Sequence, residues 1–368
     1  MSAKPSFLSL KPAALMELVQ SWGEPGFRST QLVEWVFKKR VYSPDLMSNL
    51  PASLRTRLRS ELDWSMLDVV SQLDSADGST KLLMGSCRGY VESVILRYEG
   101  RTSLCVSSQV GCRMSCSFCQ TGKLGFVRNL SDTEILQQFA LADSMVQAEG
   151  RRISHVVFMG MGEPLDNYAN VVQAVGQLTS KDAFALNPRN VTISTSGVAA
   201  KIRTLAADVR AALAISLHAS RDELRTELMP LNRKYPLAEL KDALLEYQKT
   251  TGDKLTFEYI LIKDKNCSIR EAKELVRFIH GLRVKVNLIP FNAHPGLPYE
   301  RPSDETIRAF QKYLTDRSIP APVRYSKGLD VSAACGQLAA KQQETLADAP
   351  QRARVLGQPA AAEGGAPA

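Results

Sequence analysis

From about residue 100 onward the chain alternates two hydrophobic rhythms. Short runs rich in β-branched and aliphatic residues predict strands over 103–110, 155–159, 190–195, 211–217, 254–262, 285–289 and 323–325. Between them apolar residues recur at three- and four-residue intervals and predict helices over 131–148, 167–178, 200–205, 237–249, 269–280 and 304–316. Several open on cap sequences such as Ser131-Asp132-Thr133-Glu134 and Ser303-Asp304-Glu305, where a hydroxyl satisfies a free backbone amide. Regular βα alternation implies an α/β fold with a parallel sheet, open or closed into a barrel. Such barrels gather their reactive residues just past the C-terminal ends of the strands.

Upstream the rhythm is helical. A first run over 13–22 is stopped by Gly23 and Pro25-Gly26; a second over 29–40 sets Leu32, Trp35 and Val36 on one face; a third covers 50–62. Two strand-like stretches, 81–84 and 90–96, flank turn residues Gly85 and Gly89 and predict a hairpin. The expected division is an N-terminal helical domain over 1–78, a bridging hairpin over 79–97 and a core domain over 98–338. The stretch 339–368, rich in Ala, Gly, Pro and Gln, predicts disorder.

Composition narrows the class. A chain of 368 residues, 44% hydrophobic, has ample length for a core. No apolar run approaches the ~18 residues of a membrane span, and no basic-then-apolar signal pattern opens the chain, so no membrane partner and a cytoplasmic location are expected. Seven cysteines, odd in number and clustered, do not read as a secreted disulfide framework. The net charge of +8 suits an anionic partner, and basic residues outnumber acidic ones seven to two between Arg28 and Arg59. Lys38-Lys39-Arg40 with Arg55, Arg57 and Arg59 form either solvated helix faces or a phosphate-binding surface for structured RNA.

The sharpest chemistry lies in Cys112, Cys116 and Cys119, spaced C-x3-C-x2-C. A [4Fe–4S] cubane normally takes four cysteine ligands; a tight group of three leaves one iron open, as a reacting metal requires. The competing reading, a structural zinc loop, needs a second close pair of Cys or His, and Cys87, Cys267 and Cys335 stand alone. With Phe118 before the last cysteine, the stretch resembles the signature of the radical S-adenosylmethionine (SAM) enzymes, in which SAM chelates the open iron. Polar groups also mark the expected strand ends: Gly160-Met161-Gly162-Glu163-Pro164, Ser194-Thr195-Ser196-Gly197, Ser216-Leu217-His218 and Pro290-Phe291-Asn292. Each alone is an ordinary strand-end turn. Beside a cluster loop, Gly162 and Glu163 resemble a SAM-amine motif, while Ser194, Ser216, Leu217, His218 and Asn292 suit ribose, carboxylate and adenine.

Two further cysteines, Cys105 and Cys335, read either as small buried hydrophobes or as reactive thiols. At these residues LCVSSQVGC, CSFC, GFVRNL, FMGMGEPL, VTISTSG, ISLHA, NLIPFN and AACGQLA together resemble the RlmN/Cfr family of radical SAM adenine methyltransferases, over about residues 8–340. The resemblance implies a partial (β/α) TIM-type barrel carrying a [4Fe–4S] cluster and using two SAM per turnover. It implies 23S rRNA and tRNA as partners, a flavodoxin- or ferredoxin-type electron donor and a monomer. The Pro of GEP and the Ser of STSG resemble the RlmN branch, which methylates adenine C2; adenine C8, or a substrate other than RNA, is the alternative. Cys335 would take a methyl group from one SAM, and a second would be cleaved to a radical that activates that methyl for addition to C2. Cys105 would then release the product by forming a disulfide with Cys335. Glu92 aligns with the family's proton acceptor, or is an exposed hairpin carboxylate.

Overall fold

The computed structural model describes residues 4–86, 88–293 and 296–338, so the expected disordered tail lies outside the described residues. Prolines set the starts of the N-terminal helices: α1 (Pro12–Ser21) opens on one, and α2 (Gly26–Val33) and α3 (Ala52–Glu61) follow Pro25 and Pro51. The run expected as one helix over 29–40 instead starts at Gly26 and widens into a π-helical turn over Glu34–Lys38. Just beyond the turn Arg40 takes a left-handed conformation, φ 58°.

The sheet begins within the segment expected to be helical. Strand β1 (Asp68–Asp74) pairs antiparallel with β2 (Thr80–Ser86), and β2 with β3 (Gly89–Tyr98). Next, β3 pairs antiparallel with β4 (Arg101–Cys105), so the hairpin expected as a bridge is the antiparallel wing of one nine-stranded sheet. A small ribbon of β5 (Gln109–Gly111), the short helix α4 (Gln120–Lys123) and β6 (Phe126–Asn129) follows.

The remaining elements alternate as the hydrophobic rhythm predicts: α5 (Asp132–Gln147), β7 (His155–Phe158), α6 (Tyr168–Thr179), β8 (Val191–Thr195), α7 (Ala199–Asp208) and β9 (Ala212–Ser216). Then come α8 (Asp222–Leu228), α9 (Leu237–Thr251), β10 (Leu255–Leu261), α10 (Ile269–Ile279), β11 (Val284–Pro290) and α11 (Asp304–Thr315). Strands β4, β7, β8, β9, β10 and β11 are parallel neighbours in that order, forming the partial (β/α) barrel. The strand expected over 323–325 shrinks to a single bridge from Val323 to Leu288. Pro320 and Pro322 stand before it; they lend carbonyls to Val286 and Leu288 but have no N–H to continue a ladder. Among the described residues no helix is long and apolar enough to cross a membrane.

The N-terminal helices share one core with the barrel, running from Phe7, Leu15 and Phe37 to Phe139, Val156 and Phe257. Phe184 meets both Phe37 and Phe139 edge-on, at centroid distances of 5.2 and 5.0 Å. At this seam Arg40 Nη1 donates to Asp143 Oδ1 at 2.7 Å, the side chains being 7% and 0% exposed. The Asp143 carboxylate also accepts from the Ile153 amide and from Gln147. Arg40 thus leaves the set of candidate RNA-binding cations and becomes the ionic pin between module and barrel.

A buried carboxylate with an ion pair and two further hydrogen bonds is hard to remove without stranding its partner. Asp143→Ala is expected to destabilise the chain by about 3 kcal/mol or more, because Arg40 is left as an uncompensated buried charge. Urea unfolding followed by circular dichroism measures this; a loss under about 1 kcal/mol would make the pair incidental.

Candidate active site

The site is built on a close crossing of two chain segments. After Cys105 the chain leaves β4, and Ser107-Ser108-Gln109 runs beside Gly160-Met161-Gly162-Glu163, which continues from β7. Ser107 Oγ donates to the Glu92 carbonyl at 2.6 Å and accepts from the Met161 amide at 2.8 Å. The Met161 carbonyl accepts from the amides of Ser108 and Gln109. Gln109 Oε1 accepts from the Glu163 amide, and its amide group donates to Asn129 and Asp166. Gln138 exchanges both its groups with the Ser107 backbone, and Asn167 spans the carbonyls of Ser108 and Leu130. The glycines of this turn are required by the crossing itself. A Cβ at Gly160 would stand 2.7 Å from Ser107 Oγ, and one at Gly162, φ 102°, would stand 2.6 Å from Gln109 Cβ. Their small size serves the protein's own backbone.

Cys112, Cys116 and Cys119 follow this crossing. Burial is the main cause that raises the Cys112 thiol to about 12 and the Cys116 thiol well above the usual range. Charge on Cys119 and Cys112 raises Cys116 further, so the sulfurs feel one another. Three thiolates packed this way repel, and a cationic metal core relieves the repulsion; the donor set fits an iron–sulfur cluster. Among the described residues no three Cys, His, Asp or Glu side chains converge as a single-ion site requires. The loop rests on α8: the Ser117 amide donates to the Leu228 carbonyl at 2.9 Å, and Cys116 and Cys119 pack on the cluster of Phe118, Leu224 and Leu228.

Cys335 arrives from the far end of the chain. Its loop is clamped beside the cysteine loop by Gln120 N–H to the Gly336 carbonyl, 2.9 Å, and by Thr121 Oγ1 to the Leu338 carbonyl, 2.7 Å. The residue stays exposed although the chain closes around its sulfur, and burial with charge on Glu258 and Cys119 pushes the thiol up to about 11. Cys105, at the end of β4, is buried and unbridged; burial raises its thiol, with charge on Cys335 second. The two cysteines therefore lie within electrostatic reach of each other beside the cluster loop.

The strand ends carry the remaining candidates. Glu163 is 3% exposed; Oε2 accepts from the Ser196 amide and hydroxyl, both at 2.7 Å, and Oε1 from the Leu165 amide. Burial raises its carboxyl against those bonds, so it ties β7 to β8 before it could meet an ammonium. Ser194 is buried near the end of β8, and Ser216 ends β9. Leu217 is fully buried and bonds through its backbone to Glu258 and Arg225. His218, φ 59°, accepts at Nδ1 from the Ile260 amide at 3.1 Å and stands edge-on to Phe118. Burial, then Arg225, lowers its pKa to about 3, so the imidazole is neutral with its proton on Nε2, a fixed donor. Asn292 donates to Ser326 Oγ at 2.8 Å.

Glu92 is not the exposed hairpin carboxylate that one reading allowed. It is 4% exposed and pairs with Lys81 at 3.2 Å, and Lys81 also reaches the Ser332 carbonyl, three residues before Cys335. Of the basic run, Lys39 lies over the Trp35 ring and Arg57 over Trp22, and Arg59 pairs with Asp45. Beside the strand ends, two buried charges escaped sequence reasoning. Glu258, 8% exposed, accepts from Asn287; only its alternation opposite Ser216 in the sheet could have marked it. Arg225, fully buried on α8, had no signal in a short polar stretch.

Residues 6–63 match the family model of the ribosomal RNA large subunit methyltransferase N-terminal domain, and residues 106–279 match the radical SAM superfamily. The chain is 42% identical over 340 residues to the dual-specificity RNA methyltransferase RlmN of a Nitratiruptor species, covering 88% of this chain and 96% of that protein. It is 44% identical over 329 residues to the protein of the same name from Campylobacter fetus subsp. fetus, covering 85% and 93%. A crystal structure of a radical SAM methyltransferase from Sphaerobacter thermophilus superposes with a TM-score of 0.87 at 41% identity, over 91% of this chain and 99% of that one.

The crossing gives a paired test. Gly160→Ala is expected to cost about 1–3 kcal/mol by overpacking, to displace Ser107 and to lower iron content after anaerobic reconstitution. Gly176→Ala, in open space on α6, is expected to raise stability by up to about 1 kcal/mol with iron content unchanged. Equal behaviour of the two variants in iron assay and thermal melting would refute the role given to the crossing.

Proposed function

The chain belongs to the RlmN family of radical SAM RNA methyltransferases, and from that premise we propose that it methylates C2 of a specific adenine in 23S rRNA and of the adenine 3′ of the anticodon in tRNA. The observation that carries this reading is the placement of Cys335, clamped beside the cluster loop and electrostatically coupled to buried Cys105. Adenine C2 is electron-poor and does not attack the electrophilic methyl of SAM, so a nucleophilic transfer straight to the base is ruled out by its chemistry.

Cys112, Cys116 and Cys119 are proposed to hold a [4Fe–4S] cluster. Gly162, Glu163, Ser194, Ser216, Leu217, His218 and Asn292 would line the SAM site, with the His218 Nε2–H as a ready donor. When bound, cluster and SAM supply a one-electron cleavage that yields a hydrogen-abstracting carbon radical. The Cys335 sulfur would first take a methyl from one SAM, losing its proton and leaving S-adenosylhomocysteine. Hydrogen abstraction from that methyl and addition to C2 would be followed by loss of the C2 proton to a base and of one electron to the one-electron carrier that supplied the first, joining the base to Cys335 through a methylene. Glu92, fixed by Lys81 near the Cys335 loop, is the proposed proton acceptor. Cys105 then attacks the Cys335 sulfur: the S–S bond forms, the C–S bond breaks, and the methylene leaves with the electron pair and gains a proton. A dithiol reductant must restore the cysteines, and a flavodoxin- or ferredoxin-type protein would supply the electron for SAM cleavage. The target adenine must leave its stack to reach the site, which gives the N-terminal module its task of gripping RNA. Cytoplasmic location and a monomeric state complete the proposal.

Two variants test the reading. Cys105→Ala should stop at the methylene-bridged intermediate and accumulate a covalent protein–RNA adduct, seen as a ribonuclease-sensitive, reductant-resistant band on a denaturing gel. Cys335→Ala should form no adduct and no product. Normal turnover by Cys105→Ala would sink the mechanism, and nucleoside mass spectrometry showing 8-methyladenosine would replace the C2 assignment.

The RNA surface is tested by Lys39→Glu with Arg57→Glu, two cations outside the barrel that stack on tryptophans. RNA affinity should fall, and the slope of log affinity against log salt should shrink by roughly 0.7–0.9 for each phosphate no longer neutralised. SAM cleavage without RNA should persist. Unchanged affinity would make these helix faces merely solvated.

A further inference from the structure

Arg225 is fully buried on α8 and bonds only to uncharged oxygens. Its Nε donates to the Leu217 carbonyl at 3.2 Å and Nη1 to Asn232 Oδ1 at 2.8 Å. Nη2 donates to the carbonyls of Ser196 at 2.6 Å and Ser216 at 3.4 Å. Four of a guanidinium's five N–H donors are thereby used, which leaves it little capacity to grip a ligand directly. A buried cation that bonds to no carboxylate is costly, and its position suggests what offsets that cost. One helical turn further on, the Leu228 carbonyl receives the Ser117 amide, next to Cys116, and Leu224 and Leu228 form the apolar bed on which Cys116 packs. Burial lowers the Arg225 pKa to about 10, and of the two charges that raise it Cys116 comes before Asp222. Three thiolates on a cubane core bearing two positive charges leave one net negative charge, and reduction adds another.

We propose that Arg225 is a positioning residue that supplies the fixed counter-charge to the iron–sulfur cluster at its Cys116 corner, and thereby sets how readily the cluster accepts an electron. The proposal rests on the cluster being held by the three cysteines, and it is independent of which RNA or which adenine carbon is modified. The same fork joins the ends of β8 and β9, so the charge is held in place by the strand ends that would carry SAM. In a low-dielectric setting a fixed positive charge stabilises the more negative, reduced cluster.

Arg225→Lys keeps the charge and loses the fork; Arg225→Gln keeps some hydrogen bonding and loses the charge. Both are made in the full chain, reconstituted with iron and sulfide, and titrated by electron paramagnetic resonance in mediated redox buffers without RNA. The Gln variant is expected to disfavour reduction about tenfold, a fall of about 59 mV for a one-electron couple, with the Lys variant close to the unaltered chain. If the Gln variant holds no cluster while the Lys variant holds one at the unaltered potential, the charge is again the cause. A Gln variant with an unchanged potential, a Lys variant that shifts as far as Gln, or loss of the cluster in both would overturn the proposal. Covalent trapping by Cys105→Ala is a separate readout, so failure here leaves the methyl-transfer reading standing and the reverse also holds.

Discussion

The whole site depends on one close approach, where the chain leaving β4 passes the glycine turn leaving β7. Gly160 and Gly162 permit the contact, and Ser107 and Gln109 convert it into a set of hydrogen bonds. This places the cysteine loop against the strand ends of the barrel. Once the crossing is fixed, Glu163 falls opposite Ser196, and the loop reaches α8 at Leu228. A methyl group's worth of extra volume at Gly160 would push on all of this at once, because packed interiors transmit strain.

At the crossing and the neighbouring strand ends, buried polar side chains each satisfy several backbone groups. Gln138, Asn167, Arg225 and Asn266 are all buried, and each bridges segments far apart in sequence. Such side chains give less stability than apolar packing would, but their directionality selects one arrangement of loops. A barrel whose strand ends must meet a cofactor needs that selectivity. Irregular backbone at those ends has carbonyls and amides that no ladder satisfies, and these amides and the guanidinium satisfy them without closing the ends to a ligand.

Much of this was legible in the chain because the periodicities are strong. Helices α5, α10 and α11 start at Ser caps and carry regular apolar faces, and the parallel strands are nearly continuous apolar runs. The errors have physical causes. Strand β1 is exposed along most of its length, so no alternation announces it. The run over 103–110 looks like one strand, yet it leaves the sheet at Val106 because the crossing captures Ser107 and Ser108. Helix α8 is short and polar, and its one buried charge serves contacts that are distant in sequence. Arg40 sits in a basic run but is turned inward by the π-helical turn ahead of it. The cysteines were legible through their spacing; what surrounds them was not, since burial and long-range partners leave no local pattern.

The two reactive thiols differ in a way that the proposed reaction requires. A residue that receives a methyl group and then meets an RNA base belongs on a surface loop, and Cys335 is the more exposed residue of the two, on a loop clamped by Gln120 and Thr121. A sulfur that acts only to release the product must be kept from taking the methyl itself. Cys105 is buried at the end of a strand bonded on both sides, to β3 and to β7. Shielding there rests on the sheet and not on a side chain that could swing aside. The sheet therefore does two jobs at one position: it holds the strand whose continuation makes the crossing, and it buries the thiol to which the proposed reaction assigns product release.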